Sequence, residues 1–258
     1  ASTTLGCMCD FYHPNSWLFG LFGARELFIQ ALKNHSNNPK LLFQLYCGLT
    51  GMTCHGIPVN NDELVRLGII DIGVQHMRAF PEDHSIREEV QPVLSCLTRS
   101  PPNEQHKQRI LDAGFLTEVL SAMRDFPGDQ RLVSKGLESI RDFSSNREDV
   151  GNELRDAGVF DVIVESMSKH PPLKEGAVFW NVHTSGAQAL ATLATHNKLN
   201  RDAMFKAGAH RQLLRAMAGD DDARMAACIA LRHIAGLGQK ERDELANDGI
   251  APHCLSWR

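Results

Sequence analysis

The chain has 258 residues, 43% of them hydrophobic, and its 27 basic and 31 acidic side chains leave a formal net charge of −4. No stretch reaches the ~18 consecutive apolar residues of a membrane-spanning helix, and no basic stripe with interleaved aromatic residues offers a site for nucleic acid. The composition therefore excludes a transmembrane segment and a nucleic-acid partner, and it leaves ample apolar material to bury.

The first 18 residues lack a clear hydrophobic period, so we expect residues 1–18 to form a tail or an irregular cap and residues 19–258 to form the ordered body. Cys7, Cys9 and His13 lie close together, but no second Cys/His pair follows at zinc-finger spacing, so no metal site is expected. The role of the two cysteines stays open. The chain does not begin with methionine, which fits a processed chain and a fragment equally well.

One glycine returns along the chain at intervals of 45, 46, 44, 50 and 41 residues. The six positions are Gly23, Gly68, Gly114, Gly158, Gly208 and Gly249. The residue four positions earlier is apolar every time, and the period is close to the roughly 40–47 residues of helical repeats. Because a sharp junction between two helices often requires positive φ, we expect each glycine to be a structural hinge.

The apolar residues that follow each glycine predict two more helices per repeat. In the first repeat Phe28, Ile29 and Leu32 form a stripe with helical spacing. Prolines thirteen positions after three of the glycines predict where this second helix ends, at Pro81, Pro127 and Pro171. A longer third helix follows, with apolar residues such as Val133, Leu137 and Ile140 in the third repeat. Each repeat therefore has three helices.

Three segments carry a resemblance to a known family. They are ILDAGFLTEVLSAM (Ile110 to Met123), ELRDAGVFDVIVESM (Glu153 to Met167) and AMFKAGAHRQLLRAM (Ala203 to Met217). These segments resemble armadillo repeats, and the resemblance extends from about Phe19 to the C-terminus. It implies an all-α fold, a right-handed α-solenoid of about five three-helix repeats plus a partial C-terminal repeat. Because this fold serves many partners, the resemblance is specific for the fold and weak for the function.

In armadillo proteins that resemble importin alpha, the third helices line a concave groove where regularly placed asparagines hold an extended peptide. The equivalent positions here are Gly51, Cys96, Asp142, Thr192 and His233. One turn earlier, where that groove carries tryptophan, stand Cys47, Pro92, Glu138, Gln188 and Ile229. Because an extended ligand needs regular backbone partners, a nuclear-import receptor is disfavoured. Glu138, Arg141, Asp142, Arg232 and His233 remain candidate partner-binding residues.

The fourth repeat contains an insertion. From its glycine to the apolar anchor of its third helix it has 32 residues, from Gly158 to Leu190, where each of the first three repeats has 26. The insertion carries Phe179 and Trp180. Insertions in repeat arrays are often binding loops, and tryptophan is enriched at binding hot spots. The two aromatic residues are therefore either partner-binding residues or a plug between repeats.

Other features indicate structural roles. In the fifth repeat, Asp220, Asp221 and Asp222 stand at a predicted helix start, where carboxylates cap the helix. We find no catalytic, phosphate-loop or paired-carboxylate motif, so no enzyme activity, cofactor or small-molecule substrate is expected.

Seven cysteines, an odd number, favour buried thiols over a disulfide framework, with Cys47, Cys96 and Cys228 inside predicted helices. This indicates an intracellular, reducing compartment. The cytoplasm or cytoskeleton is expected first, and an organelle after removal of a transit peptide remains open.

The sequence thus predicts a non-catalytic protein-binding scaffold or a structural subunit of a larger assembly. Its partners are expected to be folded proteins, bound through the concave third-helix surface and the insertion of the fourth repeat. The alternative is a transient adaptor for short linear peptide motifs. An enzyme is a distant third hypothesis.

Overall fold

The computed structural model describes residues 13–54, 58–99, 102–173, 180–195, 197–236 and 238–249, with side chains from residue 17 onward. The described residues form sixteen helices and no strand. In chain order the helices are α1 (His13–Leu21), α2 (Ala24–Asn34), α3 (Pro39–Thr53), α4 (Pro58–Arg66), α5 (Ile69–Ala79), α6 (His84–Cys96), α7 (Glu104–Asp112), α8 (Phe115–Asp125), α9 (Gln130–Ser144), α10 (Glu148–Asp156), α11 (Val159–Lys169), α12 (Val182–Ala194), α13 (Lys198–Lys206), α14 (Ala209–Ala216), α15 (Asp221–Ala235) and α16 (Gln239–Asn247).

The helices group into threes, as the sequence predicts: α1–α3, α4–α6, α7–α9, α10–α12 and α13–α15, with α16 beginning a sixth repeat. The first helix of every repeat has 9 residues and the third has 13 or 15. The second helix has 11 residues in the first four repeats and 8 in the fifth. The chain is therefore an all-α solenoid of three-helix repeats.

All six repeat glycines have positive φ, from 77° at Gly158 to 94° at Gly68. In the first five repeats the glycine lies between the first and second helices, and Gly249 follows the first helix of the sixth. Among the described residues, no other glycine has this conformation. The space where a Cβ would stand is open at Gly68 and Gly208, so backbone conformation and not crowding favours glycine at these two junctions.

The second helices end where the prolines predict. Helix α5 ends at Ala79, two residues before Pro81, and α11 ends at Lys169, two residues before Pro171. Because proline lacks an amide hydrogen and clashes with the preceding turn, the chain leaves the helix and turns toward the third helix.

Helix packing divides the chain into two compact units, residues 1–122 and 123–258. We call them the N-terminal half and the C-terminal half. In the N-terminal half, α3 and α6 pack together, and the predicted third-helix residues Ile86, Val90 and Leu94 are fully buried. In the C-terminal half, α9 packs on α12 and α12 packs on α15. Consecutive third helices thus form the core of each half.

A disulfide corrects the expectation of free thiols. Cys54, which follows α3, is bonded to Cys96 at the end of α6, 42 residues along the chain. The reason is the repeat itself, because packing α3 beside α6 brings the C-terminal ends of two third helices together. Cys47 and Cys228 are not disulfide-bonded and are only partly buried. The cysteines therefore no longer support a reducing compartment.

Helix α1 begins at His13, inside the segment 1–18 that was expected to be a tail or an irregular cap. Residues 1–12, with Cys7 and Cys9, lie outside the described part of the chain. In the described ranges, no helix is both long enough and apolar enough to cross a bilayer.

Candidate functional site

The candidate site is the third-helix surface of the C-terminal half, which we define as the exposed and half-buried side chains of α9, α12 and α15. Each of these helices begins at a side-chain cap. Asp129 accepts hydrogen bonds from two backbone amides of α9, at 3.1 Å each. Asn181 caps α12 and Asp220 caps α15 in the same way. The cap predicted at Asp220 is therefore present.

Arg141 is the centre of a polar network on this surface. Its Nη1 donates to Oε1 of Gln188 on α12 at 2.5 Å. Its Nε and Nη2 donate to Oδ1 of Asp142 at 3.0 and 2.9 Å. Charge-assisted hydrogen bonds to two partners fix the guanidinium group between α9 and α12. Two of the predicted residues, Arg141 and Asp142, thus contact each other directly.

The other predicted groove residues lie on the same surface at different helical turns. Glu138 is half-buried and stands one turn before Asp142 on α9. Arg232 and His233 are half-buried in the last turns of α15. Ile229, one turn earlier on α15, is exposed. The surface therefore carries carboxylate, guanidinium, amide, imidazole and apolar groups in an irregular order.

The structure describes one of the two aromatic residues of the insertion. Phe179 lies outside the described residues, and Trp180 is half-buried at their border. The Trp180 carbonyl accepts a hydrogen bond from Nε2 of Gln130 at the start of α9. The indole ring faces two cations, Arg131 at 5.8 Å and Lys135 at 5.3 Å from its centroid. Trp180 thus packs on the preceding repeat's third helix, at the opposite end of α9 from Arg141.

Asp220 also holds the start of α12 against the start of α15. Its carboxylate accepts hydrogen bonds from Nδ2 of Asn181 at 2.7 Å and from the hydroxyl of Thr184 at 3.1 Å. Both donors follow the insertion directly. The end of the insertion is therefore fixed at the third-helix surface.

Two histidines fix the beginning of the insertion. Nε2 of His170 donates to the carbonyl of Pro127 at 3.1 Å, and Nε2 of His183 donates to the carbonyl of His170 at 2.9 Å. Burial lowers the pKa of His183 below its ordinary value, which keeps the ring neutral. These two contacts are structural, because they hold the chain at the start of the insertion against the preceding repeat.

A cavity of about 400 Å³ lies where α9 and α12 end. It is lined by hydroxyl and amide groups that include Ser144, Asn146, Thr192, Asn197 and Asn200. Thr192 occupies one of the positions where the importin-type groove has asparagine. Asn146 is the single non-glycine residue with positive φ among the described residues, at 57°. The cavity therefore extends the polar character of the third-helix surface toward the loop after α9.

Sequence reasoning missed two members of this site. The alignment placed Gln188 in the groove, but Gln188 was not chosen as a partner-binding residue, because its partner Arg141 lies on another helix 47 residues earlier. Lys135 is a buried cation whose position under the Trp180 ring depends on the path of the insertion. Lys135 stands three residues before Glu138, which places both on one side of α9, and this spacing is the signal that could have indicated it.

No known family pattern and no curated protein sequence matches the chain. Solved structures do match. An engineered protein is similar over 95% of this chain and 56% of its own length, with 17% identity and a TM-score of 0.75. A designed armadillo repeat protein in complex with the peptide (KR)4 is similar over 88% of each chain, with 17% identity and a TM-score of 0.68.

A third structure, reported with the interaction between cadherin and beta-catenin, is similar over 96% of this chain and 46% of its own length. Its identity is 19% and its TM-score is 0.74. The chain thus spans about half the length of the first and the third of these structures. At such identities the likeness is one of fold. This chain has the fold of the armadillo repeat solenoids.

Proposed function

We propose that the chain is a non-catalytic protein-binding scaffold or a structural subunit of a larger assembly. Its partner contacts the third-helix surface of the C-terminal half and the segment around Trp180. Repeat solenoids commonly expose such surfaces to other macromolecules. The observation that carries the proposal is the network in which Arg141 is held between Asp142 and Gln188.

A fixed guanidinium group favours a partner with a fixed shape. Because Arg141 is already ordered, a partner that contacts it does not bear the entropy cost of ordering a long side chain. The positions that would form a peptide ladder in this half are Asp142, Thr192 and His233, which differ from one another in size and charge. An irregular surface of this kind suits a folded protein better than a regular extended chain.

The second candidate is an adaptor for short peptides. A designed armadillo protein of the same fold was solved with the basic peptide (KR)4, and this surface also has carboxylates, at Glu138 and Asp142. The Asp142 carboxylate, however, already accepts two hydrogen bonds from Arg141. A basic peptide would have to compete with that pair, so we place the folded partner first.

The test compares two arginines with similar surroundings. Arg141 pairs with Asp142 and a glutamine on the third-helix surface. Arg155 on α10 pairs with the next residue, Asp156, and with the amide of Asn152. Tagged wild type, Arg141→Ala and Arg155→Ala are used to capture partners from native extract, with quantitative mass spectrometry and chemical cross-linking.

We expect the wild type to capture proteins that cross-link to α9 or α12. Arg141→Ala should capture at least about tenfold less of these proteins, and Arg155→Ala should capture as much as the wild type. If both variants retain the same partners, the third-helix surface is not the binding surface. If peptides of a few residues from the captured proteins bind as well as the whole proteins, and if this binding weakens steeply with salt, the adaptor hypothesis replaces the scaffold hypothesis.

A further inference from the structure

In the fifth repeat and the partial sixth, an arginine of the first helix reaches back to the preceding third helix. Arg201 and Arg242 each stand seven residues before their repeat glycine. Nη1 of Arg201 donates to the carbonyl of Ala194 at 3.3 Å, and Nη1 of Arg242 donates to the carbonyl of Ala235 at 3.2 Å. Both carbonyls belong to the last residue of a third helix, α12 or α15. At these two junctions a guanidinium group therefore binds the end of a third helix.

The fourth repeat has glycine at this position. A Cβ on Gly151 would lie 3.1 Å from Nδ2 of Asn200 and 3.8 Å from Cδ2 of Leu193. Both of these residues line the cavity of about 400 Å³ at the ends of α9 and α12, and so does Gly151 itself. The second and third repeats have Asn61 and Lys107 at the same position, both buried. The cavity thus lies where the other repeats place a larger polar side chain.

The carbonyl that such a side chain would reach is also present in the fourth repeat. Ser144 is the last residue of α9, as Ala194 is the last residue of α12, and Ser144 lines the cavity. Among the described residues, the Ser144 carbonyl accepts only the amide hydrogen of Arg147, at 3.1 Å. The Ala194 carbonyl accepts the amide hydrogen of Asn197 at 3.5 Å and the guanidinium of Arg201. Because a carbonyl oxygen has two lone pairs, the Ser144 carbonyl can accept a second donor.

The other polar groups of the cavity wall favour a ligand that donates hydrogen bonds. The hydroxyls of Ser144, Thr192 and Thr195 donate to backbone carbonyls four residues earlier, at 2.7, 3.0 and 2.8 Å. Nδ2 of Asn200 donates to two backbone carbonyls, at 3.3 and 3.0 Å. These four side chains use their own hydrogens within the chain, whereas the hydroxyl oxygens keep lone pairs that can accept.

The charges around the cavity complement a cation. Helix α10 begins with Glu148, which lines the cavity, and Asp149, and both are exposed. Arg147 also lines the cavity, but its Nε and Nη2 donate to the Asp149 carboxylate at 2.9 and 2.6 Å. These hydrogen bonds lower the pKa of Asp149 to about 2. Two carboxylates and one guanidinium leave one negative charge, whereas the fifth repeat, with its own arginine, has Lys198 and Leu199 in place of the two carboxylates.

We propose that this cavity binds an arginine side chain of a partner protein, in the way that Arg201 and Arg242 bind the later junctions. The inference rests on the proposed function, because the partner supplies the arginine. A guanidinium group offers several donors to the Ser144 carbonyl and the hydroxyl oxygens, and its charge is balanced by Glu148. Glu148 and Thr195 line the cavity and are exposed, so a side chain can enter from solvent.

The test is a titration of the full chain with a capped glycine–arginine–glycine tripeptide, followed by backbone amide NMR, with glycine–glutamine–glycine as the uncharged control. We expect saturable shifts in residues 144–151 and 192–200 with the arginine peptide only. Gly151→Arg should abolish the shifts, because the chain then fills its own cavity. Glu148→Gln should weaken binding about threefold by removing the negative charge. Glu153→Gln, an exposed carboxylate of the same helix that does not line the cavity, should bind as the wild type does.

Circular dichroism establishes that the variants fold. Should Gly151→Arg unfold, the comparison of Glu148→Gln with Glu153→Gln decides. The proposal is overturned if the arginine peptide does not bind, if the glutamine peptide binds equally well, or if Glu148→Gln leaves the affinity unchanged.

Partner capture separates this proposal from the proposed function. Partners that are lost with Arg141→Ala but retained in full with Gly151→Arg would overturn the arginine site and leave the third-helix surface as the binding surface. If no partner is captured at all, the proposed function fails, and the tripeptide titration still decides whether the cavity binds arginine.

Discussion

Arg78, in the last turn of α5, donates from Nη2 to the backbone carbonyl of Ala113 at 2.9 Å. Ala113 directly precedes the glycine of the next repeat. Arg124 occupies the same register one repeat later, and its Nη2 donates to the carbonyl of Ala157. Each arginine therefore bonds a carbonyl at the end of the following repeat's first helix, where the helix itself supplies no donor. This contact joins consecutive repeats next to the glycine junction.

Replacing Arg78 should weaken the array. In Arg78→Met the carbonyl of Ala113 loses its charged donor, and Glu118 loses the hydrogen bond from Nε at 2.7 Å. Because Arg78 is half-exposed, we expect the free energy of unfolding to fall by only about 1 kcal/mol. Urea denaturation measures it, with Arg109→Met on the exposed side of α7 as the control. Equal stability of the two variants would show that the inter-repeat contact contributes nothing.

The glycine junctions give a second prediction. At Gly208, with φ of 78° and open space around the missing Cβ, alanine meets only the backbone penalty of the left-handed region. We expect Gly208→Ala to lower the free energy of unfolding by about 1–2 kcal/mol. Gly128 also has open space but does not have positive φ, so Gly128→Ala should be neutral or slightly stabilising. Thermal melts of the two variants that coincide would contradict the backbone explanation.

The sequence was sufficient for the helices because their signals are local. The Gly158 junction, the stripe after it and Pro171 all lie within one repeat, and each requires a particular backbone conformation or a buried side. Arg141 and Asp142 could be placed on the third-helix surface because the register of that helix was known, and their role in partner binding stays a prediction. Gln188 was missed because its contact with Arg141 depends on how two third helices pack, which periodicity does not give.

The disulfide was missed for the same reason. Counting cysteines gave an odd number and no sign that Cys54 pairs with Cys96, whereas packing of α3 beside α6 brings the two together. A local rule can also mislead, as it did at the N-terminus. Residues 1–18 were expected to be a tail or an irregular cap because they lack a clear hydrophobic period, yet α1 begins at His13. Trp17 is apolar at a position that is polar in later repeats.

The disulfide gives a third prediction, on redox dependence. A cross-link that closes a loop of 42 residues lowers the entropy of the unfolded chain, and the loop-entropy estimate for this length is about 4 kcal/mol as an upper value. We expect dithiothreitol to lower the melting temperature of the wild type and to leave Cys54→Ser unchanged. The control Cys47→Ser should keep the sensitivity of the wild type. The bond would be excluded by a wild type whose melting temperature does not respond to dithiothreitol and whose seven cysteines can all be alkylated before reduction.

The fourth prediction concerns pH. The hydroxyl of Tyr46 lies 2.7 Å from Nδ1 of His76, and burial lowers the pKa of His76 from its ordinary value of 6.5. Below pH 6.5 the unfolded chain therefore binds a proton that the folded chain does not, so stability falls as the pH drops from 6.5 toward the lowered pKa. Above pH 6.5 the folded and the unfolded chain both hold His76 neutral, so none of this stability is lost.

His76→Gln should reduce the dependence of the free energy of unfolding on pH below 6.5. The glutamine amide can accept a hydrogen bond from the Tyr46 hydroxyl and does not titrate. Urea unfolding at half-unit steps from about pH 5 to 7.5 measures it. His35→Gln, at the end of α2, is the control with an exposed ring. Equal slopes in the wild type and His76→Gln would mean that this histidine does not set the acid limit.

Hydrogen exchange of the chain bound to its captured partner tests the central claim most directly. The protein-binding hypothesis predicts slower exchange in α9 and α12 around Arg141 and Gln188, relative to the free chain, and the same protection in Arg155→Ala. Protection confined to the first helices, with α9, α12 and α15 exchanging as in the free chain, would contradict it.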